Sequence, residues 1–79
     1  MDYEGDLFVT KDFYLACFLK AKGIKLERAF KEANTVFFYF NNKQEIKKLM
    51  QFYFNGSENV VAIDFVNAIR DLKTFSYNL

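Results

Sequence analysis

Polar positions disappear from one short run of this chain. Thr35–Phe40, inside NTVFFYFNN, carries apolar side chains on both phases of a two-residue alternation. Val36, Phe38 and Phe40 fall on one side, and Phe37 and Tyr39 on the other. A strand with one solvated face shows polar residues on one phase, so this run asks for cover twice. The preceding apolar stretch, GDLFVT (Gly5–Thr10), reads as a shorter strand with Leu7 and Val9 on one face and Phe8 on the other.

The period then lengthens. KDFYLACFLKAK (Lys11–Lys22) reads as a helix with Thr10 as its N-cap, Asp12 in the first turn and Gly23 as its stop. Phe13, Tyr14, Cys17, Phe18 and Ala21 form a broad stripe. Leu15 and Leu19 fall on a different side and must meet either another helix of the same chain or a partner. GIKLERAFKEAN (Gly23–Asn34) carries two signals. Leu26, Ala29, Phe30 and Ala33 have helical spacing, whereas Ile24–Glu27 alternate. A helix here would leave Thr35–Phe40 poorly paired, and isolated strands are not stable. The reading taken is therefore a strand over Ile24–Phe30, with a turn over Lys31–Asn34. Asn42 and Glu45 then make a capping pair for a helix over Lys43–Asn55, with Ile46, Leu49, Met50 and Tyr53 inward and Gly56 as its stop. After SENV, a last helix covers Val61–Phe75, with Ala62, Phe65, Val66, Ile69 and Leu72 on one face.

The order strand, helix, strand, strand, helix, helix predicts a single α+β domain over residues 1–79. Its two layers are a three-stranded, mainly antiparallel sheet and three helices covering one face of it. The inner face is expected to hold Leu7, Val9, Ile24, Leu26, Val36, Phe38 and Phe40. The outer face is expected to hold Phe8, Phe37 and Tyr39, bordered by Lys25 and Glu27.

DLFVTKDFYLACFLKAKG (6–23), GIKL (23–26), VFFYF (36–40) and FVNAIRDLK (65–73) together resemble a family of small uncharacterised domains found in bacterial and phage genomes. In that family the glycine after the first helix opens a hairpin, which implies the strand reading of Ile24–Phe30. ERAFKEAN is more helix-prone than such a hairpin. The resemblance implies a mobile-element or accessory setting and supplies no activity.

Composition sharpens the question of cover. Eleven Phe and five Tyr make a fifth of the 79 residues, near the lower size limit for a self-sufficient core. A formal charge of +1 supplies no bulk field toward nucleic acid or membranes. Between Lys11 and Lys31 six cations face Asp12 and Glu27, a mild local excess. The lone cysteine, Cys17, has no disulfide partner in the chain, and no run resembles a signal peptide or a membrane span; a reducing, cytoplasmic setting is expected.

Histidine is absent, which removes the commonest general base and metal ligand. Cys17 has no histidine to activate it, the carboxylates lack calcium-loop spacing, and no phosphate-cradling glycine motif occurs. The expectation is a protein with no enzymatic activity, no cofactor, no metal and no small-molecule ligand. Phe8, Phe37, Tyr39, Leu15 and Leu19 are the candidate partner-binding residues, for a homodimer or for occlusion of a foreign protein such as a host defence complex. The alternative is single-stranded nucleic acid stacked on the same rings, with Lys25, Arg28 and Lys31 holding phosphates. A third reading has Tyr3, Phe75 and Tyr77 folding over the face, leaving no site.

Overall fold

A computed structural model describes the backbone of residues 2–55 and 61–79 and the side chains of residues 5–51 and 61–79. The elements are β1 (Asp2–Glu4), β2 (Leu7–Thr10), α1 (Phe13–Ala21), β3 (Leu26–Glu32), β4 (Thr35–Phe40), α2 (Lys43–Asn55) and α3 (Ala62–Tyr77). From β2 onward this is the expected α+β order, and the short β1 precedes it. Every pairing is antiparallel and the strand order is β1-β2-β4-β3, so aromatic β4 is interior and β3 is an edge. Three expected features, the Gly56 stop, the 57–60 connection and the inward Tyr53, lie outside the described residues.

β2 enters the sheet in the opposite phase to the one expected. Phe8 opposes Phe40 and Thr10 opposes Phe38. Directly opposed residues project from the same face, so Phe8 and Thr10 join the inner side while Leu7 and Val9 turn outward. LFVT offers apolar side chains to both faces, and its pattern alone does not pin its phase. The helices can enclose only one side, and the larger ring goes there: Phe8 is 0% exposed.

β3 contains one extra residue. Leu26 opposes Phe40, but Arg28, not Glu27, opposes Tyr39, which marks a bulge at Glu27. The inward positions of β3 become Leu26, Ala29 and Lys31, and the outward ones Arg28, Phe30 and Glu32. That phase shift explains the three-residue spacing of Leu26 and Ala29, which imitates a helix in the sequence.

Asp12, not Thr10, caps α1. Its Oδ1 accepts from the Leu15 N–H at 3.1 Å, while Thr10 Oγ1 accepts from the Asp12 N–H at 3.0 Å. At the other end Gly23 takes φ +88° and Ile24 N–H donates to Leu19 O at 3.0 Å, closing the helix on a buried Ile24. Leu15, Ala16, Cys17, Phe18 and Leu19 are all buried in succession. A surface helix cannot bury five consecutive residues, because they point around its whole circumference. α1 lies between the sheet, where Phe13 meets Phe38 with ring centroids 6.3 Å apart, and α3. Leu15 and Leu19 are therefore core residues, the intrachain outcome of the two left open for them.

Asn42 immediately precedes α2, its φ of 64° suits asparagine, and its Oδ1 accepts weakly from Glu45 N–H at 3.4 Å. The reciprocal bond of a capping box is replaced: Asn42 N–H donates to Asn41 Oδ1 at 2.7 Å. Ile46 of α2 and Ala68 and Leu72 of α3 complete a core with Phe8, Phe38 and Phe40. Tyr14 and Val66, expected to face inward, are exposed, because α1 and α3 present slightly rotated stripes.

Glu32 opposes Thr35, so Ala33 and Asn34 alone make the β3–β4 loop, and Ala33 sits at φ 55°. A Cβ in the left-handed region costs about 1–2 kcal/mol, of which glycine returns about 0.5–1 as lost chain entropy. Ala33→Gly is therefore expected to raise stability by about 0.5–1 kcal/mol in urea unfolding with an unchanged slope. A loss of stability would show that the turn carries no such strain.

Candidate functional site

Among the described residues the helices cover one face of the sheet and none of them stacks as a second layer on the other. The core cluster draws on α1, α2, α3 and the inner sheet positions, and it includes none of Val9, Phe30, Phe37 and Tyr39. Across that outer face the register lines up Val9, Tyr39 and Arg28, then Phe37 with Phe30, then Thr35 with Glu32. Arg28 Cζ lies 4.4 Å from the centre of the Tyr39 ring, a cation–π pair between neighbouring strands. Phe37 and Tyr39 are half-buried because β4 has a strand on each side, whereas Phe30 on edge strand β3 is 52% exposed.

The structure brings together some of the expected binding residues and separates others. Phe37 and Tyr39 lie on the outer face as expected. Phe8, Leu15 and Leu19 do not belong to any contact surface, being wholly enclosed by the core. Phe30 joins the face in their place; Val9 projects to the same side but is itself buried. No alternation in the sequence exposes Phe30, because the bulge at Glu27 reverses its phase. The basic trio does not converge. Arg28 points outward and Lys31 inward, and Lys25 pairs with Glu27 at 3.7 Å on the surface. Phe75 and Tyr77 do not fold over the outer rings: Phe75 lies beside Gly23–Leu26, and Tyr77 is 93% exposed at the end of α3. Tyr3 has its side chain outside the described part.

Cys17 is a free, buried thiol. Burial pushes it from its ordinary 9.0 up to about 11, against a smaller downward pull from Lys73 and with a small upward push from Asp12. It stays in the protonated form, which is a poor nucleophile. Among the described residues no three His, Cys, Asp or Glu side chains cluster as metal ligands. No helix among them is long and apolar enough to cross a membrane.

With this geometry in place, the chain can be assigned to a family. Residues 5–78 match the family model described as a domain of unknown function (DUF5659), and the chain belongs to that family. No curated protein and no solved structure matches it.

Two outcomes follow from the face assignment and the thiol. Phe8→Ala is expected to cost about 3–5 kcal/mol, enough to unfold most small domains, while Phe30→Ala costs under about 1 kcal/mol. Equal losses in chemical denaturation would refute the assignment of Phe8 inward and Phe30 outward. For Cys17 the folded thiol holds its proton to higher pH than the unfolded one, so its contribution is complete below pH 9 and fades as pH rises toward 11. The stability gap between the wild type and Cys17→Ala is expected to narrow by roughly 2–3 kcal/mol over that window. A gap that holds constant with pH would show that the thiol is not desolvated.

Proposed function

We propose that this member of the family is a non-catalytic interaction module, and that it assembles with a second copy of itself through edge strand β3 and the outer aromatic face. The observation that carries this reading is Phe30, a large ring left half in water beside Phe37 and Tyr39, on a strand whose far edge has no neighbour among the described residues. Isolated apolar side chains on a surface mean little, but contiguous aromatics on an edge strand favour pairing.

Charge selects the occupant. If two copies pair β3 to β3 antiparallel about Phe30, the two-fold axis sets Phe30 against its twin and keeps both outer faces on the same side of an enlarged sheet. Arg28 of each copy then opposes Glu32 of the other, giving two ion pairs across the seam. The edge charges that discourage random strand addition become complementary in this one register. Arg28 keeps its stacking on Tyr39, since a guanidinium presents its plane to a ring and its edge to a carboxylate. The aromatic row Tyr39–Phe37–Phe30 then runs continuously across both copies.

Light scattering is expected to give twice the monomer mass at roughly 100 µM protein. Arg28→Glu and Glu32→Arg should each be monomeric, because each sets like charges in opposition. Mixed together, the two variants should regain the dimer mass, since each supplies the charge the other lacks. A monomeric wild type would discard the second copy as occupant and leave the face to a foreign protein. Dimeric single variants would place the seam elsewhere.

A further inference from the structure

On the opposite side of the β3–β4 hairpin lies a groove of about 710 Å³, between the hairpin end, the start of α1 and the end of α3. That volume falls within the range of small-molecule sites. Its apolar surface comes from Phe13, Val36 and Tyr77, and its charge from Lys11, Lys31 and Lys73. Lys31 reaches this side because it opposes Val36 on the inner face. Among the described residues no carboxylate lines the groove. Asp12 adjoins Lys11, but its carboxylate is engaged as the cap of α1. The positive end of α1 and the negative end of α3 both open here, so their half-charges cancel and the ammonium groups decide the sign. Ser76 also lines the groove, and its Oγ is shielded from solvent without a hydrogen-bond partner. A buried hydroxyl left unpaired is uncommon and asks for an acceptor.

We propose that this groove binds a small organic anion with a flat apolar body, its phosphate or carboxylate head held by Lys11, Lys31 and Lys73 and its body laid on Phe13 and Val36. Three like charges lining one groove beside an apolar wall disfavour one another, and an anion bound among them relieves that. The wall then distinguishes an amphipathic anion from a bare one. This site is independent of the edge-strand assembly, since it faces the other side of the sheet.

The test is an NMR titration of the whole chain with 1-naphthyl phosphate, inorganic phosphate and 1-naphthol. 1-Naphthyl phosphate is expected to shift the amides of Phe13, Lys31, Val36 and Ser76. Each of the other two probes, having one half of the chemistry, should bind roughly tenfold more weakly or worse. Lys31→Gln/Lys73→Gln, at exposed positions where folding is unaffected, should weaken 1-naphthyl phosphate by roughly tenfold. Equal binding of inorganic phosphate would reduce the groove to a counterion cluster, and equal binding of 1-naphthol would reduce it to an apolar cleft. Either result overturns the proposal, as would shifts mapping elsewhere or no binding by any probe.

Discussion

Phe8 faces Phe40 across the β2–β4 ladder, and that contact fixes which side of the sheet receives the helices. Phe8, Phe38 and Phe40 are almost wholly enclosed. Burying each is worth about 1.5–3 kcal/mol, and a domain of this size has a total stability of about 5–15 kcal/mol. Moving β2 by one residue would exchange Phe8 for Leu7 or Val9 on the inner side. It would also leave the gap beneath α1 unfilled. The register is therefore held by a few kcal/mol, a sizeable fraction of the stability of the whole fold. α1 can be apolar around most of its circumference because these rings support it on one side and α3 covers the other.

Where the sequence carried two concordant signals, it could be read to the residue. β4 and α2 lie at the expected positions, since asparagines bound the first and a cap followed by a clear stripe defines the second. It was ambiguous wherever local pattern and tertiary environment part. α1 shows no single apolar stripe because it is enclosed on more than one side, so Leu15 and Leu19 looked surplus. LFVT has no polar phase to orient it, so its pattern does not show that Phe8 faces inward. The bulge at Glu27 is invisible to periodicity, which hid Phe30 from the outer face and sent Lys31 to the wrong side. Of the outer surface only Phe37 and Tyr39 were legible. Lys11 precedes α1, Lys31 stands on β3 and Lys73 on α3, and only the fold brings these separate segments to one groove.

The uneven exposure of the outer rings follows from position in the sheet rather than residue type. Phe37 and Tyr39 stand on an interior strand, where neighbours on both sides shield a ring laterally even with no described helix stacked above it. Phe30 stands on the edge and lacks one such neighbour. The described helices supply one layer, and α1 already takes much of the cover that α3 can give. A strand beyond β3 would shield Phe30 by the same lateral mechanism that already serves Phe37 and Tyr39.

The bulge ties the two surfaces of the hairpin together. In a regular strand beginning at Leu26, even-numbered positions would all face inward, sending Arg28, Phe30 and Glu32 into the helical side and Lys31 out to solvent. Such a strand would bring a guanidinium and a carboxylate toward the apolar core, at a desolvation cost that one hydrophobic ring could not offset. One additional residue avoids this by changing the phase after Leu26. Leu26 and Ala29 keep their places against the core, and Lys31 emerges inward at the groove between the start of α1 and the end of α3. Arg28, Phe30 and Glu32 are released together onto the opposite face. The bulge at Glu27 thus sets, through backbone geometry alone, both the place of Lys31 in the groove and the composition of the aromatic edge.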